Sequence, residues 1–311
     1  MPDPGIPITV SLVHENQVEI GHADVERLVR EQFPEWARES IVPLRTSATT
    51  CHIFRIGAGL AARFPMQLAD PGDLRSLLEA ERTALAEFAA TSTVPSPTTI
   101  AIGQPGSGYP MPWTVQTWID GDVATPSSAQ GSRRLARDLA ELLLRLRAAA
   151  TRGRRFSGGG RGGDLSVHDE WVEYCLTRSE AMLPVSQVRA AWKTLRATPR
   201  ASPDVMAHKD LTPANLLVAD GRLAGVLDAG GFGPADPALD LVVGWHVLDR
   251  GPRELLRARL SVNDDEWRRG AAWALQQAVG LVWYYEKSNP SMSELGRSTL
   301  GRILAAPDLN L

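Results

Sequence analysis

The chain has 311 residues and is 43% hydrophobic and 22% charged, and this length fits two lobes but not several independent domains. Its formal net charge of −3 gives no basic field for nucleic acid. Two cysteines, Cys51 and Cys175, are too few for a disulfide framework or a metal cluster and indicate free thiols in a reducing compartment. The N-terminus lacks a signal-peptide pattern and no apolar run of about 18 residues occurs, so we expect a cytoplasmic protein without a membrane partner.

The first 120 residues alternate short strands with helices. Apolar residues at helical spacing predict a helix over residues 23–36 and a second one over residues 74–90. Period-2 patterns bounded by turn residues predict strands. These lie at residues 41–45, 51–56, 59–65, 98–103 and 113–119. This order predicts a small sheet-containing N-lobe over residues 1–118.

Residues 119–311 are predicted to form a mainly helical C-lobe, so the fold class is α+β. A helix is expected over residues 132–149, and Asn263 with Glu266 is typical of a capped helix start. Residues 157–164, SGGGRGGD, are rich in glycine. They do not lie between a strand and its partner element, as a phosphate-binding loop would, so we expect a flexible connector.

The most specific feature lies between His208 and Asp240. Asp210 is followed five residues later by Asn215, and two apolar runs around the hairpin signal Asp220-Gly221 lead to Asp228. Phosphoryl transfer needs a carboxylate that orients the attacking hydroxyl and takes its proton, and magnesium takes hard oxygen ligands. Asp210 is therefore the candidate base, and Asn215 and Asp228 are candidate Mg²⁺ ligands. Each residue alone would more often be a turn or cap residue; the ordered set indicates the chemistry.

This segment resembles the His-Gly-Asp-Leu-His-Pro-x-Asn motif of aminoglycoside phosphotransferases and related small-molecule kinases. It is more distantly similar to the His-Arg-Asp and Asp-Phe-Gly motifs of protein kinases. The resemblance implies a two-lobed protein-kinase-like fold, ATP or GTP as co-substrate and Mg²⁺ as cofactor. It also implies that His208 is a structural histidine and that Asp240 braces the catalytic loop. The chain departs from the motif at Lys209, which we expect to be solvated, at Thr212, and at Ala229 in place of Phe.

The resemblance further implies a nucleotide site in the N-lobe. The loop after the first strand would cover the phosphates, and although it lacks glycine it offers Ser47 and Thr49. Arg63 stands where most kinases carry Lys, and a permanently charged guanidinium can bind phosphate. Its expected partner is Glu81, with Glu79 as the alternative, and a plain surface ion pair is the other interpretation. The predicted hinge that meets adenine consists of Gln116, Thr117, Trp118 and Ile119.

Nearly the whole chain resembles an actinobacterial branch of this family whose substrates are mostly unknown. The sequence therefore predicts an ATP- or GTP-dependent phosphotransferase acting on a hydroxyl of a small molecule, an aminoglycoside-like antibiotic being one candidate. Polycationic acceptors need carboxylates, and the acceptor-binding candidates are Asp164, His168 and Asp169, with Glu173 and Glu286 as further acids. The alternatives are a metabolic kinase of the amino alcohol, sugar or homoserine type, and a pseudokinase that binds nucleotide without turnover.

Overall fold

The computed structural model describes residues 17–44, 50–106, 108–125, 130–158 and 160–311. Within them the chain divides into two compact units. The smaller one ends at Asp120, except that the segment Thr91–Pro95 belongs with Gly121–Leu311 in the larger one. The assignment of nucleotide binding and acceptor binding to an N-lobe and a C-lobe stays a prediction.

The smaller unit is built on a five-stranded antiparallel sheet in the order β1-β2-β3-β5-β4. Its elements are α1 (His22–Gln32), β1 (Ile41–Leu44), β2 (Cys51–Ile56), β3 (Leu60–Pro65), α2 (Pro71–Thr91), β4 (Thr99–Gly103) and β5 (Trp113–Thr117). Alternate residues of β2 and β3, such as Phe54 and Phe64, pack into one core with the apolar face of α1. Gly57, at φ +54°, supplies the left-handed residue that turns β2 into β3.

The first helix is shorter than the sequence pattern predicts. It ends at Gln32, and a separate 3-10 turn follows over Pro34–Trp36. Proline lacks a backbone N–H and disfavours helical geometry at the residue before it, and Phe33 accordingly has φ −136° and ψ 73°. The break still keeps Phe33 and Trp36 in ring contact, with centroids 4.9 Å apart.

The larger unit is mainly helical and carries two small antiparallel sheets, β6-β8-β9 and β7-β10. Its elements are β6 (Asp122–Val123), α3 (Arg133–Ala148), α4 (Asp169–Arg178), α5 (Val185–Arg196), β7 (Val205–Ala207), β8 (Leu216–Ala219), β9 (Arg222–Val226), β10 (Gly233–Ala235), α6 (Val242–Val247), α7 (Arg250–Leu260), α8 (Asp264–Tyr284) and α9 (Pro290–Leu304). The predicted helix over residues 132–149 is α3, which Ser132 caps by accepting a hydrogen bond from Leu135 N–H at 3.1 Å.

Helix α8 forms the centre of the larger unit and is buried on nearly every side. The predicted cap is present: the Asn263 side chain accepts from Glu266 N–H at 2.8 Å. Helix α9 packs closely against α8. The glycine at position 296 permits this, because a Cβ there would lie only 2.7 Å from the carbonyl oxygen of Ala278. Burial raises the pKa of Cys175 to about 12, so this residue is a packed thiol. Among the described residues no helix has the length and apolarity needed to cross a membrane.

Candidate active site

The loop after β7 is fixed by the buried carboxylate of Asp240. Its Oδ2 accepts from His208 N–H at 2.7 Å and its Oδ1 accepts from Lys209 N–H at 2.8 Å. Burial raises the pKa of Asp240, while these two donors favour its charged form. The His208 ring donates from Nε2 to the carbonyl oxygen of Leu227 at 2.9 Å and accepts from Asp210 N–H at Nδ1. These contacts hold the backbone of the predicted catalytic residue.

Lys209 differs from the expectation of a solvated side chain. It is half-buried, and burial lowers its pKa. Its backbone has φ +75°, in the left-handed region where glycine is most at ease. That geometry explains why related motifs carry glycine here, and it makes Lys209 a position of local strain.

Both carboxylate oxygens of Asp210 accept hydrogen bonds. Asn215 donates from Nδ2 to Oδ2 of Asp210 at 2.9 Å and also to its backbone oxygen at 2.9 Å. Arg161 donates from Nη2 to Oδ1 at 3.0 Å. The Asp210 side chain remains 38% exposed. The carboxylate is therefore held in one orientation but stays accessible.

The hairpin β8-β9 brings Asn215 and Asp228 to the same end of a small sheet. Leu216 pairs with Val226, and Leu227 N–H donates to the carbonyl oxygen of Asn215 at 2.8 Å. The predicted turn is present at Asp220-Gly221, with φ +50° and +71°. Asp228 follows β9 in a left-handed conformation with φ +59°, and its side chain is exposed.

The glycine-rich segment is more than the connector that the sequence indicates. Gly162 has φ +121°, and a Cβ there would lie 2.9 Å from the Cβ of Ala235. Its carbonyl oxygen accepts from Asp236 N–H at 2.8 Å, which ties the segment to the end of β10. Arg161 is thereby held beside Asp210. Sequence reasoning missed Arg161 because nothing in its neighbourhood links it to a residue 49 positions further on.

The two acids among the acceptor candidates both have partners in the structure. Asp164 caps a 3-10 turn by accepting from Ser166 N–H at 2.9 Å, and this hydrogen bond lowers its pKa. Asp169 accepts from Trp192 Nε1 at 2.8 Å and forms an ion pair with Arg196 at 3.0 Å. Asp164 thus stabilises its own turn, and Asp169 links α4 to α5.

His168 lies in a different environment, with 1% of its surface exposed. Gln276 of α8 donates from Nε2 to its Nδ1 at 3.4 Å, and the ring lies edge-on to Trp273. Burial lowers the pKa of His168, and the nearby charge of Arg161 lowers it further. Within the described part of the chain, neither His168 Nε2 nor Gln276 Oε1 has a hydrogen-bond partner.

In the smaller unit, Ser47 and Thr49 lie outside the described residues. Arg63 is half-buried in β3, on the strand face opposite the core residues Ala62 and Phe64. It donates from Nη1 to Oε1 of the buried Gln116 at 3.4 Å.

The predicted hinge begins inside β5 and continues beyond it. Thr117 N–H donates to the carbonyl oxygen of Thr98 at 3.0 Å, and Trp118 N–H donates to that of Gly59 at 2.7 Å. The Arg55 guanidinium lies over the Trp118 ring at 4.6 Å. The N–H groups of Thr117 and Trp118 are thus used within the unit. Glu81, the predicted partner of Arg63, lies half-buried on α2.

The model of a phosphotransferase enzyme family matches residues 52–273, which include the entire catalytic loop. The chain belongs to this phosphotransferase family. A curated relative, aminoglycoside 3'-phosphotransferase from Escherichia coli, is 33% identical over 82 residues. That match covers 25% of this chain and 30% of the relative. The prediction of family is confirmed.

Solved structures with similar folds include two antibiotic phosphotransferases. The GDP complex of aminoglycoside 2'-phosphotransferase-IIIa has a TM-score of 0.65 at 18% identity, over 92% of this chain and 99% of that one. A macrolide 2'-phosphotransferase from Brachybacterium faecium has a TM-score of 0.59 at 16% identity, over 89% and 97% of the two chains. At such identity the likeness concerns the fold alone. It confirms the predicted two-lobed, protein-kinase-like α+β fold.

Proposed function

We propose that this phosphotransferase family member moves the γ-phosphoryl group of ATP or GTP to a hydroxyl of a small molecule, with Asp210 as the base. The observation that carries the proposal is the pair of hydrogen bonds that Asn215 donates to Asp210 at the end of the β8-β9 hairpin. A carboxylate held in one orientation can align an attacking hydroxyl and accept its proton. Phosphoryl transfer is mostly positioning and charge neutralisation. Aligning the hydroxyl is therefore the main chemical task of the chain.

The same residues fit a magnesium ion. Asn215 uses its NH₂ group on Asp210, which leaves its amide oxygen available to a hard cation. Asp228 adds an exposed carboxylate at the same end of the hairpin. In the described ranges no group of three His, Cys, Asp or Glu residues has an arrangement that could hold a metal ion. Magnesium that also binds phosphates needs only one or two protein ligands, and when bound it would neutralise phosphate charge.

We further propose that the smaller unit binds the nucleotide through Arg63 and the hinge. The contact between Arg63 and Gln116 links the guanidinium to the start of the predicted hinge on β5. Since the N–H groups of Thr117 and Trp118 are engaged, we propose the N–H of Ile119 as the donor to the base edge. Glu81 as the partner of Arg63, and Ser47 and Thr49 as phosphate contacts, are part of this proposal.

The names of the relatives concern aminoglycosides and macrolides, and we propose no more for this chain than a small-molecule acceptor. An aminoglycoside-like antibiotic, an amino alcohol, a sugar and homoserine are separate candidates. The presence of Asp210, Asn215 and Asp228 argues against the pseudokinase alternative. The experiment therefore establishes turnover first and identifies the acceptor afterwards.

The test compares the protein with Asp210→Asn, which keeps the side-chain shape and removes the charge. Transfer of labelled phosphate from ATP and GTP to an acceptor panel, and to water, is measured with and without Mg²⁺. We expect Asp210→Asn to lose at least about 100-fold in rate while nucleotide affinity changes little. The matched control is Asp122→Asn, an exposed acid of β6. An Asp210→Asn variant with more than about a tenth of the original rate would show that Asp210 is not the base.

A further inference from the structure

One face of the five-stranded sheet carries polar residues that the apolar core does not use. Ala62 and Val115 face the core that packs against α1. Arg63 and Gln116 lie on the opposite face, because side chains alternate along β3 and β5 and Ala61 pairs with Gln116. Gln116 is therefore a diagonal neighbour of Arg63 on the adjacent strand. The proposed phosphate-binding residue and the first residue of the predicted hinge thus share one surface of the smaller unit.

Arg63 fixes the orientation of the Gln116 amide. Its Nη1 donates to Oε1 of Gln116 at 3.4 Å. A guanidinium has five donors and no acceptor, so the amide oxygen and not the NH₂ group must face it. Rotating the amide by half a turn would replace this hydrogen bond with a contact between two donors. The Gln116 NH₂ group is consequently turned away from Arg63.

The NH₂ group of Gln116 is a donor that still needs an acceptor. The residue is 4% exposed, and buried donors are nearly always paired. Among the described residues this NH₂ group has no hydrogen-bond partner, yet it is not one of the fully inaccessible unpaired polar atoms. A ligand on this face of the sheet can therefore reach the group, and an acceptor atom on that ligand would satisfy it.

The two common purine bases offer different groups to a pair of donors. The second donor is the N–H of Ile119, the proposed donor to the base edge. Adenine presents one acceptor nitrogen beside its 6-amino group, so one of the two protein donors would face another donor. The 6-oxygen of guanine carries two lone pairs and accepts from both protein donors. This pair of donors therefore matches guanine better than adenine.

We propose that Gln116 is a base-specificity residue and that this phosphotransferase uses GTP in preference to ATP. The Gln116 NH₂ group donates to the 6-oxygen of guanine, and Arg63 holds the amide in the donating orientation besides binding phosphate. This specificity rests on the proposed nucleotide site of the smaller unit. It goes beyond that site because it selects one of the two nucleotides.

Binding of four nucleotides to the full chain, with Mg²⁺ and without an acceptor, tests the contact without changing the protein. Isothermal titration calorimetry gives dissociation constants for GTP, ATP, inosine triphosphate and 2-aminopurine riboside triphosphate. Inosine keeps the 6-oxygen and lacks the 2-amino group, whereas 2-aminopurine has the 2-amino group and no 6-oxygen. We expect GTP and inosine triphosphate to bind at least about tenfold more tightly than the other two, equivalent to about 1.4 kcal/mol.

Gln116→Met removes the donor and keeps the length of the side chain. It should weaken the binding of GTP and inosine triphosphate about tenfold and leave the binding of ATP nearly unchanged. Arg63→Ala should weaken the binding of all four nucleotides and also reduce the preference, because the amide is then free to rotate. Gln187→Met, at an exposed position of α5, is the matched control and should alter none of the constants.

Three results would overturn the assignment of Gln116. These are ATP binding at least as tightly as GTP, inosine triphosphate binding like ATP, and a Gln116→Met variant that weakens GTP and ATP equally. Each of them leaves the proposed phosphoryl transfer standing, because a nucleotide is still bound. If Gln116→Met does not fold, the four nucleotides on the unchanged protein decide. Absence of binding by all four nucleotides in the presence of Mg²⁺ would instead refute the proposed function.

Discussion

Asp236 sits at a buried junction behind the active-site loop and gives the sharpest stability prediction. Its side chain is 1% exposed and forms an ion pair with Arg269 of α8, which is 7% exposed. Its Oδ2 accepts from Arg269 Nε at 3.0 Å and from Trp273 Nε1 at 3.1 Å, and its Oδ1 accepts from Ala238 N–H at 3.0 Å. The backbone N–H of Asp236 holds Gly162, next to Arg161.

Asp236→Ala removes every side-chain acceptor and leaves the Arg269 charge buried. Among the described residues, the carbonyl oxygen of Thr198, at 2.8 Å, is then the one acceptor that remains for that guanidinium. Removing one partner of a buried ion pair costs about 3–5 kcal/mol, because the remaining charge is not compensated. Asp236→Ala combined with Arg269→Met should recover at least about 1.5 kcal/mol, since the buried charge is then absent. The N–H groups of Trp273 and Ala238 stay unpaired and account for the rest.

The assay is urea unfolding followed by circular dichroism and by tryptophan fluorescence, whose coincidence tests two-state behaviour. Glu254→Ala removes an exposed ion pair with Arg250 and serves as the control, with little expected change in unfolding free energy. A loss below about 1 kcal/mol in Asp236→Ala, or no recovery on adding Arg269→Met, would refute the assignment of the pair as a buried, mutually dependent charge pair.

The remaining predictions concern the site and its pH dependence. Asp228→Asn should weaken magnesium-dependent nucleotide binding more than Asn215→Ala does, because a carboxylate binds a hard cation better than an amide; an unchanged magnesium titration would remove Asp228 as a ligand. Arg63→Ala should raise the KM of ATP strongly and Arg63→Lys only in part, whereas equal nucleotide affinity in Arg63→Ala would show that phosphate is bound by other residues. Burial lowers the pKa of His246 to about 4. Its unfolded form takes up a proton below about pH 6.5, so this residue should remove about 2 kcal/mol of unfolding free energy between pH 7 and pH 5. His246→Gln should lack that loss, and an identical pH dependence in the variant would contradict the assignment.

The parts of the fold that the sequence predicts well depend on local chemistry. Asp220-Gly221 makes the β8-β9 hairpin because both residues accept positive φ, and the hairpin alone brings the ends of its two strands together. The α3 start follows from Ser132, which caps a nearby N–H group. The strand β5 ends at Thr117 rather than at Ile119, although Trp118 N–H still donates to the carbonyl oxygen of Gly59. That contact joins two residues that lie far apart in the sequence, and the apolar pattern does not encode it.

Long-range polar contacts also explain what sequence reasoning missed at the candidate site. Asp164 caps its own turn and Asp169 pairs with Arg196 of α5, so the number of such acids says little about the acceptor. His168 and Gln276 come together across 108 residues and leave a donor and an acceptor unpaired in the interior. Each such group costs about 1–3 kcal/mol, which a fold selected for stability alone would remove by an apolar substitution. Positions that break a stability rule without local compensation are where function is expected, and a sequence pattern cannot identify them because the two partners lie far apart in the chain.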